Sequence, residues 1–248
     1  MGPLQKIIIG SLTLMLLEWS CNQPTAPDCL QIGGSIGELS KPIAPFTHLI
    51  LQDHLAYVLH PSSQFYIEIK GPKNLLNEID LNYNQHELTI SNQNTCNIIR
   101  PYKDIIEVHV YAPEFPFILD QSTVSIETSD TLRQAYFEYH QQQAASQCRF
   151  YIHCDSINIE MPYGVGDVDL YGTCNQLSIY NGSIGIIRAL NLKSKKLFCN
   201  QSAIQDIYIQ NAAYTYIDIS NSGNIYYQGQ AIELDLNDNG EGQYLPLP

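Results

Sequence analysis

The chain has 248 residues, enough for one large or two modest domains around a real hydrophobic core. Its 12 basic residues face 25 acidic ones, for a net charge of −13, and no basic run exceeds Lys193-Ser194-Lys195-Lys196. That balance repels phosphate backbones and anionic lipid surfaces, which argues against nucleic acid as a partner.

Met1 to Ser20 reads as a signal peptide. Lys6 supplies the positive start and Ile7 to Leu17 the apolar run, which is too short for a membrane span of about 20 residues. The run ends at Glu18-Trp19-Ser20-Cys21, and a Cys after a small residue fits a bacterial lipoprotein signal in which Cys21 is acylated. Glu18 and Trp19 depart from that motif, which prefers an aliphatic and a small residue there. Residues 21–43 read as the lipidated Cys and a tether, flexible over Asn22 to Pro27, which includes Pro24 and Pro27.

Residues 44–125 are expected to form an N-terminal β domain. In Phe65-Tyr66-Ile67-Glu68-Ile69-Lys70 the apolar side chains share one face and the polar ones the other, as they do in Ile106 to Tyr111. Leu49 to Leu51, Ala56 to Leu59 and Leu88 to Ile90 are further strands, and Asn74 to Ile79 allows one helical turn. The weakly patterned stretch from Ser129 to Cys148 reads as a loop or irregular coil.

Residues 126–230 repeat a smaller unit, an apolar-x-apolar doublet closed by Gly, Asn or Ser. The doublets begin at Ile157, Val168, Leu177, Ile184, Ile207, Ile217 and Ile225, mostly seven to eleven residues apart, with an interruption around Leu197. No such short strand buries its face alone, so successive strands must stack into a common core. The expected fold is all-β, a β-helix or solenoid-like C-terminal half behind a longer-stranded β domain, with a β-sandwich as the alternative. Residues 231–248 read as a frayed acidic tail.

The order Phe46, Leu49-Ile50-Leu51, Phe65-x-Ile67-x-Ile69, Asn74-Leu75-Leu76, Leu88-x-Ile90 and Asn94-Thr95-Cys96-Asn97 resembles a known family. Arg100-x-Tyr102-Lys103, Val108-x-Val110 ending at Ala112-Pro113, and Gly223-Asn224-Ile225-x-Tyr227-x-Gly229 continue the pattern. Over roughly Asp28 to Gly229 the chain is similar to the head GIN domain autotransporter-adhesin family, common in secreted proteins and lipoproteins of Bacteroidetes-type bacteria. The resemblance implies stacked β-strands and an envelope location, and it carries no catalytic residue. In lipoproteins of this type an acid-rich stretch after the Cys directs export to the surface. Asn22 to Asp28 holds only Asp28, so an outer-membrane lipoprotein on the periplasmic face is favoured over the cell surface.

With Cys21 lipidated, six cysteines remain. Cys29 with Cys96, and Cys148 with Cys154 across a turn, are candidate disulfides; buried free thiols are the alternative. No Cys-x-x-Cys or Cys/His spacing marks a zinc site, so neither a metal nor a cofactor is expected. Gly33-Gly34-Ser35-Ile36-Gly37 matches a nucleophile elbow in letters but lacks a helix after the Ser. Asp235-x-Asn237-x-Asn239-Gly240 begins a calcium loop, yet Pro246 stands where the anchoring Glu belongs. Asp167-x-Asp169 puts two carboxylates on one strand face, the basis of an alternative reading as a polysaccharide lyase or hydrolase. Tyr171, Tyr180, Tyr208, Tyr216 and Tyr227 could form an outward ridge suited to sugar rings. The reading is a non-enzymatic, lipid-anchored binding or scaffolding protein that meets a glycan or an envelope protein and touches the membrane only through its lipid.

Overall fold

The computed structural model describes residues 34–94 and 105–247, and there the chain winds into a solenoid-like β-helix of about six turns. Cys21, Cys29 and Cys96 lie outside the described residues.

The N-terminal strands are β1 (Ile36–Pro42), β2 (His48–Asp53), β3 (Leu55–Pro61), β4 (Tyr66–Pro72), β5 (Ile79–Asn84), β6 (Glu87–Asn92), β7 (Ile106–Ala112), β8 (Phe117–Ser122) and β9 (Ser125–Thr128). The expected helical turn is a 3-10 helix, Lys73–Glu78, which buries Leu75 and Leu76. Antiparallel pairs β1–β4, β4–β7 and β5–β6 close this end. Parallel pairs take over where β2 meets β6 and β8, and β3 meets β7 and β9. Strand β8 then pairs with the next coil, as does β9, so the winding continues without a break. One hydrophobic cluster runs from Ile43 to Ile225, and the division expected at residue 125 falls inside that single core.

The later strands are β10 (Leu132–Ala144), β11 (Gln147–Gly164), β12 (Asp167–Asn181), β13 (Ile187–Gln201), β14 (Ile207–Gln210), β15 (Tyr214–Ile219), β16 (Ile225–Gln228), β17 (Glu233–Asp238) and β18 (Tyr244–Pro246), stacked in parallel. A coil takes twenty residues, since Phe137 faces Ile157, Ile157 faces Leu177 and Leu177 faces Leu197. The doublets therefore alternate between two columns half a coil apart. Val168, Ile187, Ile207 and Ile225 stack in one, and Ile159, Ile179, Cys199 and Ile217 in the other. Each Ile or Val buried this way contributes about 1.5–3 kcal/mol, and that repeated term drives the winding.

Four expectations need correction. Ser129 to Cys148 is mostly strand β10, because Leu132, Phe137 and Tyr139 fill the interior while the polar residues between them face out. The stretch at Leu197 does not interrupt the series, since Leu197 and Cys199 are both buried. The tail after Gly229 adds β17 on β15 and β18 on β16 rather than fraying. Ile184, 52% exposed, sits at a corner between strands, and Ile187 carries the column in its place.

That corner is built from buried amides. Asn181 and Gln201 occupy one register position, and each donates to the carbonyl of the tight turn that follows it. Asn181 Nδ2 reaches Gly185 O at 3.3 Å and Gln201 Nε2 reaches Gln205 O at 2.5 Å. On an earlier coil Gln141 Nε2 reaches Gly166 O at 3.2 Å. These carbonyls lie beyond the strand ladder, and an inward amide satisfies them without water.

Candidate functional site

The winding brings two features far apart in sequence onto one outer ladder. Glu127 of β9 faces Arg149 of β11, Arg149 faces Asp169 of β12, and Asp169 faces Arg188 of β13. Arg188 then faces Tyr208 of β14, and Tyr208 faces Tyr226 of β16. Each residue points outward because its strand neighbours fill the core. Four side chains of alternating charge thus lead into two stacked aromatic rings, whose centroids lie 5.4 Å apart at 16°.

Arg188 is the hinge of this arrangement. Its Nη2 lies 3.0 Å and its Nη1 3.1 Å from Asp167 Oδ2, and Nη1 lies 3.4 Å from Asp169 Oδ1. Arg149 Nη2 is 4.0 Å from Asp169 Oδ2, and the Ile186 amide donates to Asp167 Oδ1 at 2.9 Å. Partial burial opposes the charge on Arg188, but hydrogen bonds and attraction from Asp167 and Asp169 outweigh it and raise its pKa. The charged part, together with Ser125 and Gln147, lines a groove of about 340 Å³. Such a groove offers guanidinium donors, carboxylate acceptors and, on the next two coils, flat aromatic faces.

The five tyrosines do not form one ridge. Tyr208 belongs to the ladder just described. Tyr171 stacks on Tyr151 at 4.8 Å in a neighbouring column, two residues along β12 from Asp169, and Tyr216 lies beside Phe198 at 6.3 Å on a third ladder. Tyr180 stands outward between Glu160 and Asn200. Tyr227 turns inward, opposite Ile209, with its ring on Tyr244 at 4.1 Å. Tyrosines at strand positions share a face only when their register matches, and the register scatters these over several ladders.

Cys148 and Cys154 lie on one strand with no turn between them, about 20 Å apart along an extended chain. A disulfide needs Cα atoms within about 7 Å, so the two do not pair. Cys148, Cys154, Cys174 and Cys199 are all buried free thiols. Cys154 faces Cys174 on the next coil, at the floor of a second depression of about 620 Å³ flanked by Arg133 and Asp155. Burial pushes the thiol of Cys154 up to about 11 and that of Cys174 up to about 12, which keeps both unreactive.

Neither sequence motif for catalysis or calcium finds its required setting. Ser35 is followed by strand β1 rather than a helix, and its carbonyl accepts from the Lys73 amide. Asp235 and Asn237 lie on strand β17 instead of a binding loop, and Asn237 donates to Asp218 at 2.8 Å. Away from these motifs, His60 meets His109, Nε2 to Nδ1, at 2.8 Å. Sequence reasoning found Asp167, Asp169 and Tyr208 but missed Arg149 and Arg188. The one signal that could have joined them is the coil length, nineteen or twenty residues at these positions.

No curated protein matches the chain by sequence. Among solved structures it is similar to a "putative adhesin" from Bacteroides fragilis, with a TM-score of 0.77 and 16% identity over 86% of this chain and 97% of that one. A "putative adhesin" from Parabacteroides distasonis gives a TM-score of 0.64 and 13% identity, covering 87% of this chain and 99% of its own. A "putative lipid binding protein" from the same organism gives 0.64 and 15%, covering 87% and 98%. These likenesses establish the shared fold. The family described as "Putative auto-transporter adhesin, head GIN domain" matches residues 45–231, and the chain belongs to it.

Proposed function

We propose that this protein is a non-enzymatic binding module of the bacterial cell envelope, lipid-anchored through Cys21, and that the ladder from Arg149 to Tyr226 contacts a glycan. The observation that carries the reading is the register itself. It sets Arg149, Asp169, Arg188, Tyr208 and Tyr226 in one outward column, joining charged hydrogen-bonding groups to a stacked aromatic platform. A sugar presents an apolar ring face edged with hydroxyls, and such a column complements both.

The same geometry favours binding over turnover. A catalytic pair needs one carboxyl free to meet a leaving group, whereas Asp167 and Asp169 are both tied to the Arg188 guanidinium. Membership of an adhesin family agrees with a binding role in the envelope. The anchor rests on the apolar run before Cys21, and the scarcity of acid in Asn22 to Asp28 supports the periplasmic face of the outer membrane.

Exposed apolar side chains at the corner favour a second partner class. Val165, Ile184 and Ile204 stand on successive turns at 53%, 52% and 61% exposure, forming a ridge suited to an envelope protein.

A glycan array probed with the purified chain, beside Arg188→Ala and Tyr208→Ala/Tyr226→Ala variants, tests the ligand. Selective binding that both variants lose supports the reading; binding unaffected by either sinks the assignment of the face. Cys21→Ala should move the protein from the membrane to the soluble fraction, and its persistence in the membrane would refute the anchor.

A further inference from the structure

A second cluster lies on a different ladder. Glu138 and His140 are two apart on β10 and so project from the same outer face, while His140 faces Glu160 on β11. His140 Nε2 is 2.6 Å from Glu138 Oε1 and 3.4 Å from Glu160 Oε2. One donor atom from each of the three side chains falls within 4.8 Å of the others, and all three residues are half-buried.

Neighbouring groups already hold these donors in place. Asn158 Nδ2 donates to Glu138 Oε1 at 3.3 Å and to Glu160 Oε1 at 3.1 Å, and the Tyr136 hydroxyl donates to Glu138 Oε2. The Phe117 ring packs against the imidazole with centroids 5.0 Å apart, shielding one side from water.

The charge balance differs from that of the carboxylates paired with Arg188 or Lys70, and, unlike Glu107 with His109, here two acids share one imidazole. Asp167 and Asp169 have Arg188, and Glu38 and Glu68 have Lys70. Among the described residues, the ion-pair partner of Glu138 and Glu160 is an imidazole and neither a Lys nor an Arg. Two carboxylates converging on a single imidazole nitrogen leave a position where a cation would be attracted by both.

We propose that Glu138, His140 and Glu160 bind one transition-metal divalent cation of the Zn²⁺ type, clipping β10 to β11 and leaving a coordination position open to solvent. An imidazole with two carboxylates suits a borderline ion, whereas Ca²⁺ takes six to eight oxygens and Mg²⁺ keeps most of its waters. The Asn158 and Tyr136 hydrogen bonds then serve as the outer shell that orients the ligands. Sequence spacing conceals such a site because the third ligand comes from the next coil, twenty residues after its partner.

The test is calorimetric titration of the metal-free full chain with ZnCl₂, with MnCl₂ and CaCl₂ as comparisons, accompanied by thermal unfolding. One Zn²⁺ per chain, a raised unfolding temperature and no comparable response to Ca²⁺ are expected. His140→Ala and Glu160→Gln should each abolish that site, and Tyr136→Phe should weaken it roughly tenfold or more. Glu160→Gln keeps size and exposure, so its apo unfolding temperature controls for misfolding in His140→Ala. Failure of the wild type to bind Zn²⁺, equal binding of Ca²⁺, or a site that survives both substitutions would each overturn the proposal.

Discussion

Asp120 is the carboxylate on which stability most depends, and two substitutions separate the reasons. It lies wholly inside the solenoid; its Oδ1 accepts from the Ser122 amide at 2.8 Å and the Ser122 hydroxyl at 2.7 Å, and its Oδ2 from the Tyr139 hydroxyl at 2.7 Å and from the Ser146 hydroxyl. Asp120→Ala removes the acceptor from all of these at once. The hydroxyls can turn partly toward one another, but the Ser122 amide and at least one hydroxyl lose their partner. At about 1–3 kcal/mol for each stranded donor, the loss comes to about 4 kcal/mol. Asp120→Asn retains an acceptor oxygen and discards a buried charge, so at pH 7 it should differ from wild type by less than about 1.5 kcal/mol.

Protonation adds a second, independent reading of the same site. Burial raises the pKa of Asp120, against the hydrogen bonds from Ser146, Tyr139 and Ser122 that lower it. The folded chain therefore binds this proton more tightly than the unfolded chain, whose Asp titrates near about 3.9. Between those two pKa values stability falls as pH rises, so the buried carboxylate costs stability at neutral pH and costs less on acidification. Urea unfolding of both variants and wild type from pH 4 to pH 8 measures both effects. The difference between wild type and Asp120→Asn should shift in favour of wild type as pH falls. If the Asn variant is as damaged as the Ala variant at pH 7, or if the difference is flat across the range, the account of Asp120 is wrong.

Three other outcomes follow from the geometry. Gly172 has φ +123°, and an added Cβ would lie 1.9 Å from the Ile152 carbonyl oxygen, so Gly172→Ala should cost about 2–5 kcal/mol in urea unfolding; a cost below about 1 kcal/mol would show that the coil yields there. Burial and the neighbouring His109 lower the pKa of His60, so folding loses stability as pH falls through about 6.5 toward that depressed value. His60→Phe preserves a ring for stacking on Tyr111, and its unfolding temperature should drop less than that of wild type between pH 7.5 and pH 5.5; equal drops would remove His60 from the explanation. In a chain with Cys21, Cys29 and Cys96 changed to Ser, the buried thiols of Cys148 and Cys199 should resist a disulfide reagent until urea unfolds the protein, burial having pushed Cys199 up to about 12; rapid labelling of either in the native state would contradict their burial.

What the sequence revealed and what it hid divide along one physical line. Alternation along a strand is local, so Ile157-x-Ile159 or Val168-x-Leu170 announces a buried face without knowledge of any partner. Stacking between coils is not local. Nothing in the neighbourhood of Asp167 and Asp169 reveals that Arg188 stands over them, because the pairing depends on how many residues one turn of the solenoid consumes. The same dependence scattered the tyrosines, since Tyr208 and Tyr226 share a column at a separation of eighteen residues while Tyr227, one position further, points into the core. Inward polar residues misled in a related way. Gln141 made its surroundings look like coil, yet its amide closes a turn from inside the solenoid. In Leu197-Phe198-Cys199 the doublet was completed by a buried thiol, which packs as a small apolar group. Had the doublets been assigned to alternate columns, a coil of about twenty residues would have followed, and with it the Arg149–Asp169–Arg188–Tyr208 ladder. In a solenoid the binding surface is written at the period of the coil, and only the scaffold is written at the period of the strand.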